Sequence, residues 1–324
     1  MAITVLKELF VIFVEKYPRT PAVQIGDLMW DFLLVPIVWC YYALSFKRIP
    51  TLFLQLQGVA LQQDTREFVR FLNKTRRRIS TRWTSRIAVS LTLISVPIMV
   101  FGIWSKNPPP YYHYPAHMVY SLGFGSLTYY MFYISLLREI SVIFLLAEFL
   151  ERFHLKIDIL NADNAGGLGF IGSYYFEFAF LGVIIGMFIS VWSIVVPVLE
   201  GTAILWDPVW ALAWCVYILI TPTILFFPLW LGHKAMERQK EKLLNSISFH
   251  FNDELLETVG SIDKGGKILE RRKQQIQSVR ELRALMDDVF PTWPYSTQLR
   301  RRFSITALAP IITSIVSLVI DYIK

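Results

Sequence analysis

Long unbroken apolar runs, separated by segments dense in lysine and arginine, set the pattern of this chain. Runs of about twenty apolar residues are long enough to cross a bilayer as helices, whereas a soluble helix shows its apolar positions only as a stripe. Six runs are legible, at 27–46, 87–104, 118–153, 175–199, 204–232 and 303–323. They predict an all-α, polytopic helical membrane protein with about six transmembrane helices and a helical cytoplasmic layer. The third run is longer than a bilayer needs, about 50 Å at 1.5 Å per residue, so it is expected to leave the membrane after Arg138 and Glu139 interrupt it. The link Glu200-Gly201-Thr202 is so short that the fourth and fifth spans form a tight membrane hairpin.

The intervening segments have their own periodicity. In 47–86, Leu52, Leu56, Val59, Phe68, Phe71 and Leu72 recur at roughly helical spacing with Arg76-Arg77-Arg78 on the far side, which predicts a basic amphipathic helix. In 233–302 two helical patterns, 234–257 and 267–289, flank a glycine-bearing break and predict a helical hairpin. The first 26 residues mix Lys7, Glu8, Glu15 and Lys16 with apolar positions and lack a small-residue cleavage site. They read as an amphipathic segment lying on the membrane surface. The 105–117 segment contains Pro108 to Pro110 and reads as an external loop, and 154–174 as a glycine-rich cytoplasmic loop.

Composition supports the bilayer: 54% of the 324 residues are hydrophobic and 18% charged. Of the 32 lysines and arginines, 24 fall in 47–86 and 233–302. Basic residues beside apolar spans mark the cytoplasmic side. Counting spans alternately from these two segments places both termini outside. Topology thus accounts for the formal charge of +7, and no nucleic-acid partner is expected. Cys40 and Cys215 lie in the first and fifth runs, where they read as small buried apolar residues with no disulfide framework.

Ionisable groups inside a membrane are costly and mark candidate sites. Arg138 and Glu139 point about 100° apart on a helix, so each needs a partner on a neighbouring helix. The plainer expectation puts both at the cytoplasmic edge, Arg138 snorkelling and Glu139 solvated. Glu148 and Arg152, four apart, are expected to pair with each other. Glu177, at the start of the fourth span, is expected at the interface or facing a vestibule. Prolines 36, 97, 197, 222, 228 and 310 punctuate the spans, and Thr221 and Thr223 flank Pro222 with hydroxyls that satisfy freed carbonyls or line a pathway.

The 154–174 loop carries Asp158, Asn161, Asp163, Asn164, Gly166, Gly167 and Gly169. Its glycines suit an anion-binding nest of backbone amides, and its side-chain oxygens suit Ca²⁺ or Mg²⁺. The plainest alternative is a capped turn in which the glycines permit close backbone approach. The spacing fits neither a phosphate-binding loop nor an EF-hand. His113 and His117 are four apart, but Pro115 breaks the helical face a metal pair needs. No catalytic motif, metal set or cofactor fingerprint is legible, so the chain is not expected to be an enzyme.

These features favour an oligomeric ion channel or conduit in the plasma membrane, weakly anion-selective, with kinked spans lining the path and basic helices forming a vestibule. A non-conducting sensor, signalling or scaffolding component with a cytoplasmic protein partner is the alternative, and a small secondary transporter the third. The expected partners are the lipid bilayer and further copies of the chain.

Overall fold

The computed structural model describes residues 28–59, 65–79, 82–104, 119–153, 165–195 and 208–259, single positions 155, 157, 158, 161 and 163, and 277–278, 280–282, 284–286, 290 and 292–294. Six helices organise these residues. They are α1 (Met29–Val59, opening with π-helical Met29–Leu34), α2 (Thr65–Ile79), α3 (Arg82–Trp104), α4 (Ser126–Arg152, preceded by the π turn Ser121–Gly125), α5 (Gly169–Ser190, continued by π-helical Val191–Val195) and α6 (Pro208–Val259). Met29–Val59, Leu122–Arg152, Gly169–Val195 and Ala211–Phe249 are long and apolar enough to cross a bilayer. The chain is an all-α, helical membrane protein. The expected span 87–104 is helical within α3, while 303–323, the N-terminal 1–26 segment and the 105–117 loop lie outside the described residues.

Helix α4 is the centre of the fold, packing against α1, α2, α3 and α6, and α5 packs against α1 and α6. The first expected span does not stop at 46. Helix α1 runs on through Lys47, Arg48 and Pro50 because its buried face, Val35, Val38, Tyr41 and Ser45, continues without a break as Ile49, Leu52, Phe53 and Leu56. Basic residues ended the apolar run but not the three-and-four spacing. Likewise the fifth span and the first arm of the expected hairpin are one helix, since α6 is unbroken from Pro208 to Val259 and Ala235 and Met236 keep its inner face buried. Helix α5 begins at Gly169, earlier than the expected 175.

The basic layer is packed into the same core as the spans. Helix α2 presents Phe68 and Phe71 to Phe149 of α4 and to Phe153, with ring centroids 5.6 to 6.1 Å apart. Burying each such ring contributes about 1.5–3 kcal/mol. On the flanks of this cluster Lys74 Nζ reaches Glu148 Oε1 at 2.5 Å and Arg152 pairs with Glu67. The expected Glu148–Arg152 pair therefore gives way to two ion pairs between helices. Partly exposed pairs of this kind are worth about 0–1 kcal/mol each, so the aromatic cluster holds α2 in place and the ion pairs orient it.

At membrane level the outward surface is apolar. Leu212, Val216, Ile218, Leu219, Ile220 and Phe226 of α6 are exposed. Cys40 and Cys215 are free and exposed as well, not buried as expected.

Candidate functional site

Three helices converge on one buried carboxyl. Positions 41, 45 and 48 of α1 share a face by their spacing, and they meet Arg138 and Glu139 of α4 and Tyr174 of α5. Glu139 is 1% exposed. Its Oε1 accepts from the Tyr41 hydroxyl at 2.7 Å and from the Tyr174 hydroxyl at 2.9 Å, and Tyr174 also reaches Oε2 at 3.0 Å. The solvated edge expected for Glu139 is thus replaced by a packed interior position. Its burial is tolerated because both oxygens are hydrogen-bonded and a cation stands close by.

That cation is Arg48. Its guanidinium carbon lies 5.4 Å from the ring centres of both Tyr41 and Tyr174, the two residues that hold Glu139. Nη2 donates to the Tyr174 carbonyl at 3.4 Å and pairs with Glu177, which is itself exposed at the surface. Arg48 therefore pairs directly with a solvated acidic group and stands beside the tyrosines that hold the buried one. Arg138 projects to another side of α4, donating to Ser45 Oγ at 3.1 Å with its guanidinium carbon 4.3 Å from the Phe46 ring centre and 5.1 Å from that of Tyr42. As their 100° offset requires, Arg138 and Glu139 do not pair with each other. The Tyr175 hydroxyl is fully buried and has no hydrogen-bond partner among the described residues.

A second buried carboxyl lies near the start of α1. Asp31, 1% exposed, accepts from the Tyr120 hydroxyl at 2.7 Å. Between the two carboxyls, Trp39 Nε1 donates to Thr128 Oγ1 at 3.1 Å across the α1–α4 interface. Polar links of this kind tie membrane helices together where the hydrophobic effect does not.

The remaining candidates separate. Thr221 packs at the α5–α6 crossing, where a Cβ on Gly182 would stand 2.8 Å from its Cγ2. Thr223 is exposed and donates back to the Leu219 carbonyl at 2.6 Å, not to the Ile218 carbonyl that Pro222 leaves without its donor. Both are remote in role from the Glu139 group.

In the loop, the amides suited to an anion are already engaged. Asp163 Oδ1 accepts from the N–H groups of Ala165 (2.9 Å) and Gly167 (3.1 Å), and Oδ2 from that of Gly169 (3.0 Å), the first residue of α5. Asn161 Oδ1 accepts the Asp163 N–H in turn. Gly166 and Gly167 take φ of 63° and 84°, which L side chains rarely adopt. The loop is a self-satisfied cap that starts α5, and the nest reading is replaced by an internal carboxylate. Asp158 is exposed, Asn164 lies outside the described residues, and no three His, Cys, Asp or Glu among the described residues could hold a metal.

Sequence reasoning singled out Arg138, Glu139 and Glu177 but missed Tyr41, Arg48, Tyr174, Tyr175, Asp31 and Tyr120. Asp31 was findable by the same rule, as a carboxylate inside an apolar run. The tyrosines carried no signal, because membrane helices use tyrosine as an anchor as readily as a hydrogen-bond donor. No protein family, curated protein or solved structure matches the chain.

Proposed function

We propose that the protein works in the plasma membrane as an oligomeric ion conduit, with its basic layer on the cytoplasmic side and anions the favoured species. The observation that carries this reading is Glu139, a carboxyl buried where α1, α4 and α5 meet at the charged end of the apolar spans and held by two tyrosine hydroxyls. A passive anchor gains nothing from burying such a group, whose desolvation costs several kcal/mol before its partners are counted. Because this polar group is closed within one protomer, the path is assigned to contacts between copies. Helix α6 supplies the lining: its membrane-level face is largely exposed and bears Thr223, with Pro222 and Pro228 in the helix. The basic segments above it concentrate anions at the mouth. No catalytic role is proposed.

A second reading is a non-conducting sensor or signalling component. One observation favours it: the unbroken α6 joins a membrane span directly to the basic layer, as a transmitter of motion would. The test is electrical. Purified protein in planar bilayers under asymmetric salt is expected to carry current with an anionic reversal potential, altered in Glu139→Gln. Silence across voltage, pH and Ca²⁺ supports the sensor instead, and a cationic reversal potential removes the anion preference.

A further inference from the structure

Where α6 leaves the apolar level, a later part of the chain is seated on it. Phe290 is buried in the main core, and Pro294 sits so close to Gly232 that a Cβ there would stand 2.7 Å from its Cγ. Between them, the Trp293 indole stacks on the His233 imidazole with centroids 4.2 Å apart and planes 10° from parallel. His233 Nδ1 lies 2.5 Å from the Thr292 carbonyl oxygen, and Nε2 lies 3.2 Å from Glu237 Oε1.

Both ring nitrogens thus face groups that accept. A carbonyl oxygen never donates, and an ionised carboxylate does not either. A neutral imidazole has one N–H, so it completes one of these contacts and sets a lone pair against the other. Only the imidazolium donates from both nitrogens, and only the imidazolium adds cation–π attraction to the face-to-face indole. We infer that His233 is a proton-operated latch: protonated, it holds the Thr292 carbonyl and Glu237 of its own helix at once through its two ring nitrogens, and deprotonated, it keeps only one of these two contacts. Glu237 is its acidic partner, and Lys234, next to it in sequence, lies with its ammonium 5.2 Å from the Trp230 ring centre; on α4, which packs against α6, Glu148 and Arg152 are paired with Lys74 and Glu67 of α2. The latch adds a pH input to the helix that links span and basic layer, and it does not depend on whether the protein conducts.

The test is optical and needs no current. Imidazolium in contact with indole quenches its emission, so the Trp293 contribution is isolated as the difference between wild-type protein and Trp293→Phe in lipid nanodiscs. That difference signal is expected to be lower in acidic than in alkaline buffer. It is expected to stay flat in His233→Gln, and Glu237→Gln is expected to move the step to lower pH by removing the carboxylate that favours the cation. A wild-type signal indifferent to pH, a step retained in His233→Gln, or an unmoved step in Glu237→Gln overturns the proposal. Glu237 is exposed, so its variant remains informative even where the His233 substitution disturbs folding.

Discussion

Tyr41 of α1 donates its hydroxyl proton to Glu139 of α4 at 2.7 Å across 98 positions of sequence, and the same carboxyl receives Tyr174 of α5. One side chain therefore ties three helices together. Replacing Tyr41 with Phe leaves the ring packing on Phe178 (5.5 Å between centroids) and removes only the hydrogen bond. The expected loss is about 1–3 kcal/mol, read as a lower midpoint for unfolding in mixed detergent micelles. Glu139→Ala should cost more than Tyr41→Phe, because two buried hydroxyls then lose their acceptor. Equal effects would mean that the carboxyl is not the junction.

Asp163 offers a contrasting test at the start of α5. Asp163→Ala removes the acceptor for three backbone amides and should cost about 1–2 kcal/mol, the upper end of a helix-cap loss. Asp163→Asn should cost less, since one oxygen remains. If the loop were a cation site, added Ca²⁺ would raise the thermal midpoint of the wild type and a chelator would lower it; neither change is expected.

Gly182 is required by the close approach of Thr221. Gly182→Val is expected to separate α5 from α6 and to destabilise by about 1–3 kcal/mol through overpacking. Combining it with Thr221→Ala should recover part of that loss, a coupling that a double-mutant cycle measures.

In the basic layer, packing outweighs charge. Phe71→Ala is expected to cost about 3–5 kcal/mol, and Lys74→Ala, at an exposed ion pair with Glu148, under about 1 kcal/mol. Unfolding midpoints of the two variants decide the order, and a reversal would place the strength of the layer in its ion pairs.

The helical membrane class was legible in the apolar runs, since nothing else in a sequence of this length produces uninterrupted stretches of that size. Helix ends were not. At Lys47-Arg48 and at His233 the hydropathy changes sharply, but the buried stripe on one face does not, and a helix follows its stripe. The Glu139 site was half legible. A carboxylate among leucines and isoleucines is conspicuous, whereas its tyrosine donors sit 98 and 35 positions away on helices whose relative rotation only packing decides. The loop misled because glycine amides and a nearby aspartate look the same in sequence whether they await a ligand or satisfy each other.

Unbroken from Pro208 to Val259, α6 has the geometry of a lever. Its 27 residues beyond Gly232 extend about 40 Å at 1.5 Å per residue, so each 10° of tilt about the Pro294 contact carries the far end through about 7 Å. A rocking of the apolar part of this helix would thus be amplified into a displacement wider than a side chain at its charged end.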